Sequence, residues 1–267
     1  MTRAEKVATF RALHVPGDPL VMPNPWDIGS AKLLAAQGAK ALGTTSSGMA
    51  FTLGVPDGDV GRSAALAHAR AICGSVDLPI SGDFENGYGD DPEQVGLTIM
   101  LAAEAGLAGV SIEDTDTTNG GSYDFDFALS RIKAAVEAAR YADIVLCARA
   151  DGWMIGAYDE VEAVRRCVAF ANAGAEVVYA PLIGIVALAE LCAIGVPVNA
   201  LASRPMAHLN RDTYAELGVA RISIGGGLSR LVQASVLDAG AAMLQRGDFN
   251  VLRRSASESD VDEILDS

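Results

Sequence analysis

Positive charge is scarce in this chain: 20 Lys and Arg stand against 34 Asp and Glu, a formal net charge of −14. Binding nucleic acid takes a stripe of cations that displaces condensed counterions, and an anionic membrane surface asks for the same feature. Neither partner is expected. Long hydrophobic runs are also missing. No segment reaches the roughly 20 residues of a membrane helix, and the opening MTRAEKVATFRALH lacks the apolar centre of an export signal. The expected compartment is cytoplasmic. Histidine is limited to His14, His68 and His208, with no HxH or HxxxH spacing. Cys73, Cys147, Cys167 and Cys192 form no CxxC pair and sit in apolar segments, which predicts buried free thiols. With 7 Phe, 6 Tyr and 2 Trp, the core must be filled by Ala, Val, Leu and Ile.

What is present is a repeat. From residue 20 to about 245 a short apolar run is followed by a turn and then a longer stretch of helical period. The predicted strands are Leu20–Met22, Lys40–Thr44, Pro79–Asp83, Gly109–Glu113, Ile144–Arg149, Glu176–Ala180, Pro197–Ala200 and Ala220–Ile224. Helices are predicted between them, Pro92–Ala105 and Asp159–Ala173 being examples, and another at about Arg3–His14. EAGLAGVSI, NAGAEVVYA and ELGVARISI each read as helix end, Gly, strand. Alternating strands and helices imply a parallel sheet covered on both faces, and eight units in this length favour closure into an α/β (β/α)8 TIM barrel. The whole chain, 1–267, is expected to be one barrel domain. Its acidic tail from about 255 to 267 is either a frayed end or a short helix on a neighbour.

In such a barrel, catalytic groups gather where strands end and the following loops begin. Here those ends read Asp83-Phe84-Glu85, Glu113-Asp114 and Arg149-Ala150-Asp151, while strand interiors are apolar. Asp83 and Glu85 are two residues apart, so in extended chain they point the same way. Three acids converging with Glu113 would raise one another's pKa unless a cation sat among them. An oxygen-ligated Mg2+, or Mn2+, fits that set better than zinc. The other reading of the same residues is a group of helix caps and loop ion pairs, Asp83 with Arg149 for example. Thr44–Gly48 offers hydroxyls and backbone N–H groups to a carboxylate. Gly225-Gly226-Gly227 either cradles an anion or lets the last helix pack closely. Arg204 either reaches a distal carboxylate or pairs with a surface acid. GxSxG, GxxxxGK[ST] and GxGxxG are all absent, and no lysine ends a predicted strand.

NPWD (24–27), TTSSGMAFTLGVPDG (44–58), DFENGYG (83–89), SIED (111–114), ARAD (148–151) and ARISIGGG (220–227) follow one another along nearly the whole repeat. In that order they resemble the isocitrate lyase/phosphoenolpyruvate mutase superfamily. The resemblance implies Mg2+ bound by Asp83 and Glu85, partly through water, with Glu113 completing the shell and Asp57 supporting it from the side. It implies Thr45, Ser46 and Ser47 on the substrate carboxylate, and Arg149 on substrate oxygens and the enolate-like charge. It also implies a homotetramer, or a dimer, in which the C-terminal helix is swapped between neighbours.

The chain departs from the two familiar activities of that superfamily. Cleaving members carry K-[KR]-C-G-H after strand four, where this chain has DTDTTNGGSYDFD with no Cys, His or Lys. The mutase branch has Lys and an Asn-Ser pair there, of which Asn119 and Ser122 remain. The expected activity is therefore a Mg2+-dependent lyase cleaving a carbon–carbon bond of a small 2-oxo carboxylate, as in oxaloacetate decarboxylation or retro-aldol cleavage. In that reading Asp57, Glu113 and Arg149 are catalytic, and Asp83 joins Arg149 and the 45–47 segment on the substrate. Thr117, Thr118, Ser122 and Tyr123 are hydroxyls available to orient a proton or water. The alternative is C–P chemistry, as in a phosphonopyruvate hydrolase or a phosphoenolpyruvate or carboxyphosphonate mutase. A third reading is a 2-oxo acid binding protein with little turnover.

Overall fold

The structure is a computed structural model in which residues 1–116 and 119–266 are described. Helix α1 (Arg3–Ala12) opens on a capping box: Thr2 Oγ1 accepts from Glu5 N, and the Glu5 carboxylate accepts from Thr2 N. The repeat then begins with β1 (Leu20–Met22), α2 (Ile28–Ala36), β2 (Leu42–Gly43), α3 (Ser46–Leu53), α4 (Arg62–Ser75) and β3 (Ile80–Asp83). It continues through α5 (Pro92–Glu104), β4 (Gly109–Glu113), α6 (Phe125–Ala142), β5 (Val145–Arg149), α7 (Glu160–Ala173) and β6 (Val177–Tyr179). It ends with α8 (Ile185–Cys192), β7 (Val198–Leu201), α9 (Arg211–Glu216), β8 (Arg221–Ser223), the long α10 (Gly227–Arg246) and α11 (Glu258–Asp266).

All eight strands of the sheet are parallel, in the order β1-β8-β7-β6-β5-β4-β3-β2. The sheet curls until β1 and β2 face each other across a seam, an eight-stranded, nearly closed barrel with helices outside. At the seam Gly43 N donates to Pro23 O (3.0 Å). Asn24 closes it further: its Nδ2 donates to Thr44 O (3.0 Å), and its Oδ1 accepts from Ile224 N and Gly225 N (2.9 and 3.0 Å). One side chain from the NPWD segment thus joins three strand ends. The single-sided pairing of β2, with β3 alone, explains why it is shorter than the Lys40–Thr44 expected from sequence.

Two apolar layers hold the barrel. Between sheet and helices lies a core of Ile, Leu, Val and many Ala, with Phe84 and Phe170 as its large rings. Inside the barrel a smaller cluster joins Leu20, Met22, Val145, Val177 and Tyr179 to Val7 and Phe10 of α1. Helix α1 is therefore a plug for the end where strands begin. Phe10 is fully buried, which contributes on the order of 2–3 kcal/mol. Gly109 is what admits it, because a Cβ there would collide with the Phe10 ring. Above the plug, Arg221 donates to Asn199 Oδ1 (2.7 Å) and Cys147 Sγ (3.0 Å), and its Nη1 lies 3.3 Å from His14 Nε2. His14 Nδ1 faces Phe10 O at 2.7 Å, so the proton belongs on Nδ1 and Nε2 accepts.

Helix α10 stands apart. It buries only Ser229 and Ala242 and leaves Leu231, Val236, Leu237 and Leu244 exposed. Helix α11, where sequence left open a frayed end, packs on α2, with Lys32 Nζ donating to Leu265 O (2.5 Å). Among the described residues no helix is long and apolar enough to cross a membrane.

Candidate active site

The strand ends opposite the α1 plug open into a cavity of about 500 Å3. Thr45, Ser46, Ser47, Asp57, Asp83, Glu85, Glu113 and Arg149 all line it. Arg149, the last residue of β5, is at its centre. Its Nε and Nη2 grip Asp151 (3.0 and 2.6 Å), while Nη1 donates to Asp83 Oδ1 (2.7 Å) and lies 3.0 Å from Glu113 Oε1. The guanidinium also rests 5.1 Å from the centroid of Tyr179. Burial opposes its charge, but Asp151, Glu113 and Asp83 together hold its pKa well above the ordinary value.

The acids outnumber that one cation. Burial pushes the Glu113 carboxyl well above the usual range; Arg149 opposes the shift, and Asp151 and Asp83 add to it. Burial pushes Glu85 up to about 7, with Asp83 and Asp57 contributing. Glu85 sits in the left-handed region (φ 47°), and its buried Oε1 has no hydrogen-bond partner among the described residues. A buried carboxylate oxygen without a donor is costly unless it is protonated or meets a cation. Oxygen donors with this surplus of negative charge fit a hard divalent ion. Among the described residues, however, no group of three His, Cys, Asp or Glu side chains forms a ready cation shell. Arg149 stands between Asp83 and Glu113, so the ion-pair reading of the sequence is also realised.

The Ser/Thr run after β2 forms the cap and first turn of α3. Thr45 Oγ1 accepts from Gly48 N (3.4 Å) and lies 3.2 Å from Ser47 Oγ, while Ser46 N donates to Asp83 Oδ2 (3.0 Å). Gly48 is required because Trp26 and Thr45 press on the space a Cβ would fill. Asp57 stands at the exposed mouth. Desolvation by the cavity wall raises its carboxyl, opposed by a hydrogen bond with Ser46 and reinforced by Asp83; Arg230 and Arg149 pull it down.

Several residues that shape the site escaped sequence reading. Asp151 was legible as a charged strand end and as the close of ARAD, but not as the partner of Arg149. Its two-residue spacing from Arg149 was the available signal. Arg131 of α6 is fully buried and donates to the carbonyls of Asn86, Gly89 and Asp90 while stacking on Tyr123 (4.2 Å). It holds the DFENGYG turn from behind, and nothing in the sequence marks it. Tyr123, expected to face the reaction, is turned away: its hydroxyl donates to Asp90 Oδ1 (2.6 Å) and accepts from Asn86 Nδ2 (3.1 Å). Asn119 is spent within its own loop, on Asp116 Oδ2 (3.0 Å). From that loop Thr115, Asp116 and Gly121 line the cavity; Thr117 and Thr118 lie outside the described residues. Arg204 does not line it, whereas Arg230, at the start of α10, does.

The family model described as phosphoenolpyruvate phosphomutase matches residues 10–244. The chain belongs to this family. Its superfamily, isocitrate lyase/phosphoenolpyruvate mutase, spans lyase and mutase branches, and solved structures from both resemble this one. A Burkholderia cenocepacia J2315 protein described provisionally as a lyase/mutase is 39% identical, with a TM-score of 0.94 over 99% of this chain and 97% of that one. A second protein of that organism, described provisionally as a phosphonomutase, is 35% identical, with a TM-score of 0.80 over 92% of this chain and 99% of its own. A 2,3-dimethylmalate lyase, described as a member of the superfamily, is 25% identical, with a TM-score of 0.82 over 99% and 95%.

Proposed function

We propose that the cavity binds a small 2-oxo carboxylate and stabilises the enolate-like charge left when a bond to its C3 breaks. The observation that carries this reading is the set of acids, Asp83, Glu85, Glu113 and Asp151, gathered around the single guanidinium of Arg149. Mg2+, or Mn2+, would be held by Asp83, Glu85 and Glu113, with Asp57 supporting from the side. When bound, it would supply Lewis-acid polarisation of the substrate's oxygens. Thr45, Ser46 and Ser47 would receive the substrate carboxylate through the N–H and hydroxyl groups of the first turn of α3. Arg149, pre-oriented by Asp151, would place its positive charge where the enolate oxygen develops. The Gly120-Gly121 pair in the loop after β4 would let that loop close over the cavity and exclude water.

For the departing group, the description of the matched family and that of the 35%-identical Burkholderia protein support C–P chemistry over the carbon–carbon cleavage expected from sequence. We therefore place phosphonopyruvate hydrolysis or phosphomutase chemistry first. A specific observation keeps carbon–carbon cleavage as the second reading. The loop after β4 brings Asp116 and no base to the cavity, which suits a neutral leaving fragment such as CO2 or an aldehyde better than a phosphonate.

Phosphonopyruvate, oxaloacetate and other 2-oxo acids, each assayed with Mg2+ for phosphate, CO2 and aldehyde against an Asp83→Ala background, decide between them. Phosphate release or phosphoryl rearrangement supports the first reading, and CO2 or aldehyde the second. Saturable binding without turnover makes the chain a 2-oxo acid binding protein. The proposed organisation is one barrel domain over 1–267, assembled as a homotetramer or dimer with a swapped C-terminal helix. The exposed apolar side chains of α10 support an assembly of copies, whereas the last helix, α11, packs on α2 of its own chain.

A further inference from the structure

An enolate needs a proton at C3 before it can leave as a free 2-oxo acid. Among the described residues that line the cavity there is no Lys, His or Cys to give one. The carboxyls are engaged elsewhere: Asp83, Glu85 and Glu113, with Asp57, on the metal in the reading above, Asp151 on Arg149 and Asp116 on Asn119. Aliphatic hydroxyls are weaker acids than a phenol, and the described lining holds a single phenol, Tyr179, the last residue of β6. Tyr179 pairs in register with Arg149, so both side chains enter the barrel at one level, and the guanidinium lies 5.1 Å from its ring centroid. The three substituents of C2 spread in a plane. With the carboxylate on α3, after β2, and the oxygen at the acids and Arg149 of β3 to β5, C3 faces the remaining wall. Tyr179 belongs to that wall, one strand beyond Arg149.

A chain of hydrogen bonds fixes the phenol. Arg221 can only donate, so Asn199 Oδ1 accepts from its Nε (2.7 Å) and Asn199 Nδ2 donates to Ser223 Oγ (2.9 Å). Ser223 thereby has its own proton for the Tyr179 oxygen, to which it is hydrogen-bonded, and the proton of the phenol is left for the cavity. The chain starts at a guanidinium that is almost fully buried and, among the described residues, pairs with Asn199, His14 and Cys147 rather than with a carboxylate. Burial raises the phenol above its ordinary value; Arg149 opposes the shift, Asp151 adds to it, and the Ser223 hydrogen bond opposes it. The hydroxyl therefore keeps its proton at rest, and two groups stand ready to stabilise the phenolate. We propose that Tyr179 is the catalytic acid that protonates C3, with Ser223 positioning its hydroxyl. As the C2 carbonyl re-forms, the electron pair of the C2–C3 double bond takes the Tyr179 proton and makes the new C3–H bond. The O–H pair stays on the phenolate, which water reprotonates once the product leaves. The assignment rests on the enolate reading above and applies to hydrolysis or carbon–carbon cleavage, since a phosphomutase places no proton on C3.

The test supplies the enol itself, so that its outcome does not depend on the departing group. Enolpyruvate is generated in place by phosphatase action on phosphoenolpyruvate, and its conversion to pyruvate is followed by ultraviolet absorbance with Mg2+ present. Oxalate, a planar dianion with the shape and charge of the pyruvate enolate, is titrated by calorimetry as the measure of an intact site. The native protein is expected to bind oxalate and to speed the conversion. Tyr179→Phe is expected to bind oxalate within about threefold of the native protein and to lose about 100-fold or more of the acceleration. Ser223→Ala is expected to lose about tenfold at unchanged oxalate affinity, and Ser223→Thr to restore it. Acceleration by Tyr179→Phe within about tenfold of native overturns the assignment, as does a parallel fall in acceleration and oxalate affinity, the mark of a purely structural role. Oxalate binding by the native protein without acceleration overturns it too, and each of these results leaves the 2-oxo acid reading in place. Failure of the native protein to bind oxalate overturns both.

Discussion

Arg166 donates through Nη1 to Asp114 Oδ2 at 2.8 Å, and both side chains are almost fully buried. The same carboxylate accepts from Tyr158 Oη (2.7 Å) and, through Oδ1, from Asp151 N and Gly152 N (2.8 and 3.3 Å). Arg166 also donates to Tyr123 O (2.9 Å), at the foot of the loop after β4. One ion pair thus joins α7, that loop and the turn carrying Asp151, the residue that grips Arg149. Removing one member leaves the other charged and unpaired in the interior. Arg166→Met is expected to lower the unfolding free energy by about 3–5 kcal/mol, read from urea unfolding. A loss below about 1 kcal/mol would mean that water reaches Asp114.

The surplus of acids at the cavity predicts metal dependence. Turnover is expected to vanish with a chelator and return with Mg2+ or Mn2+. Asp83→Ala is expected to abolish metal binding by calorimetry, and Glu113→Gln to weaken it. Full turnover in metal-stripped protein would remove the basis of the assignment.

His14 predicts a stability that depends on pH. Burial pushes its imidazole down from the ordinary 6.5 to about 3, and the charge of Arg221 adds to the shift. Between those values the unfolded chain binds a proton that the folded one excludes. The contribution is therefore complete above about pH 6.5 and is lost as pH falls toward 3, at about 1.4 kcal/mol per pH unit. Between about pH 7.5 and pH 5 the loss from this residue is roughly 2 kcal/mol. His14→Gln is expected to flatten that part of the urea-unfolding profile. An unchanged slope would assign the acid sensitivity to other groups.

No cysteine is expected to take part in turnover. Cys147 and Cys167 are buried, Cys73 and Cys192 half-buried, and all four are free. Single Ser replacements are expected to keep turnover within about threefold, at a cost of roughly 1–2 kcal/mol where buried. Cys147 is the informative position, because its Sγ accepts from Arg221. Ser keeps an acceptor there, whereas Ala leaves a buried guanidinium N–H unmet and is expected to cost about 1–3 kcal/mol more. A folded Cys variant without activity would contradict the prediction.

The strand–helix repeat and the acidic strand ends are local signals. Apolar runs, turn glycines and capping residues act over a few neighbours, so the sequence by itself determined the eight-unit order and the residues at each strand's end. Elements shifted by a residue or two, β2 most, because pairing with a distant strand decides where a strand stops. Whether Asp83 and Glu113 meet a metal or a guanidinium is not local: Arg149 Nη1 reaches an acid 66 residues away. Arg131 beneath the DFENGYG turn, Asn24 across the seam and Arg166 on Asp114 are likewise contacts made by closing the sheet, and no period or spacing encodes them. Closure also left Arg204, the arginine the sequence offered, outside the cavity and put Arg230 into its wall. Tertiary structure decided these matters because a charged side chain's role depends on which distant charges the fold brings within a few ångströms, and in a partly buried cavity that proximity outweighs any local preference.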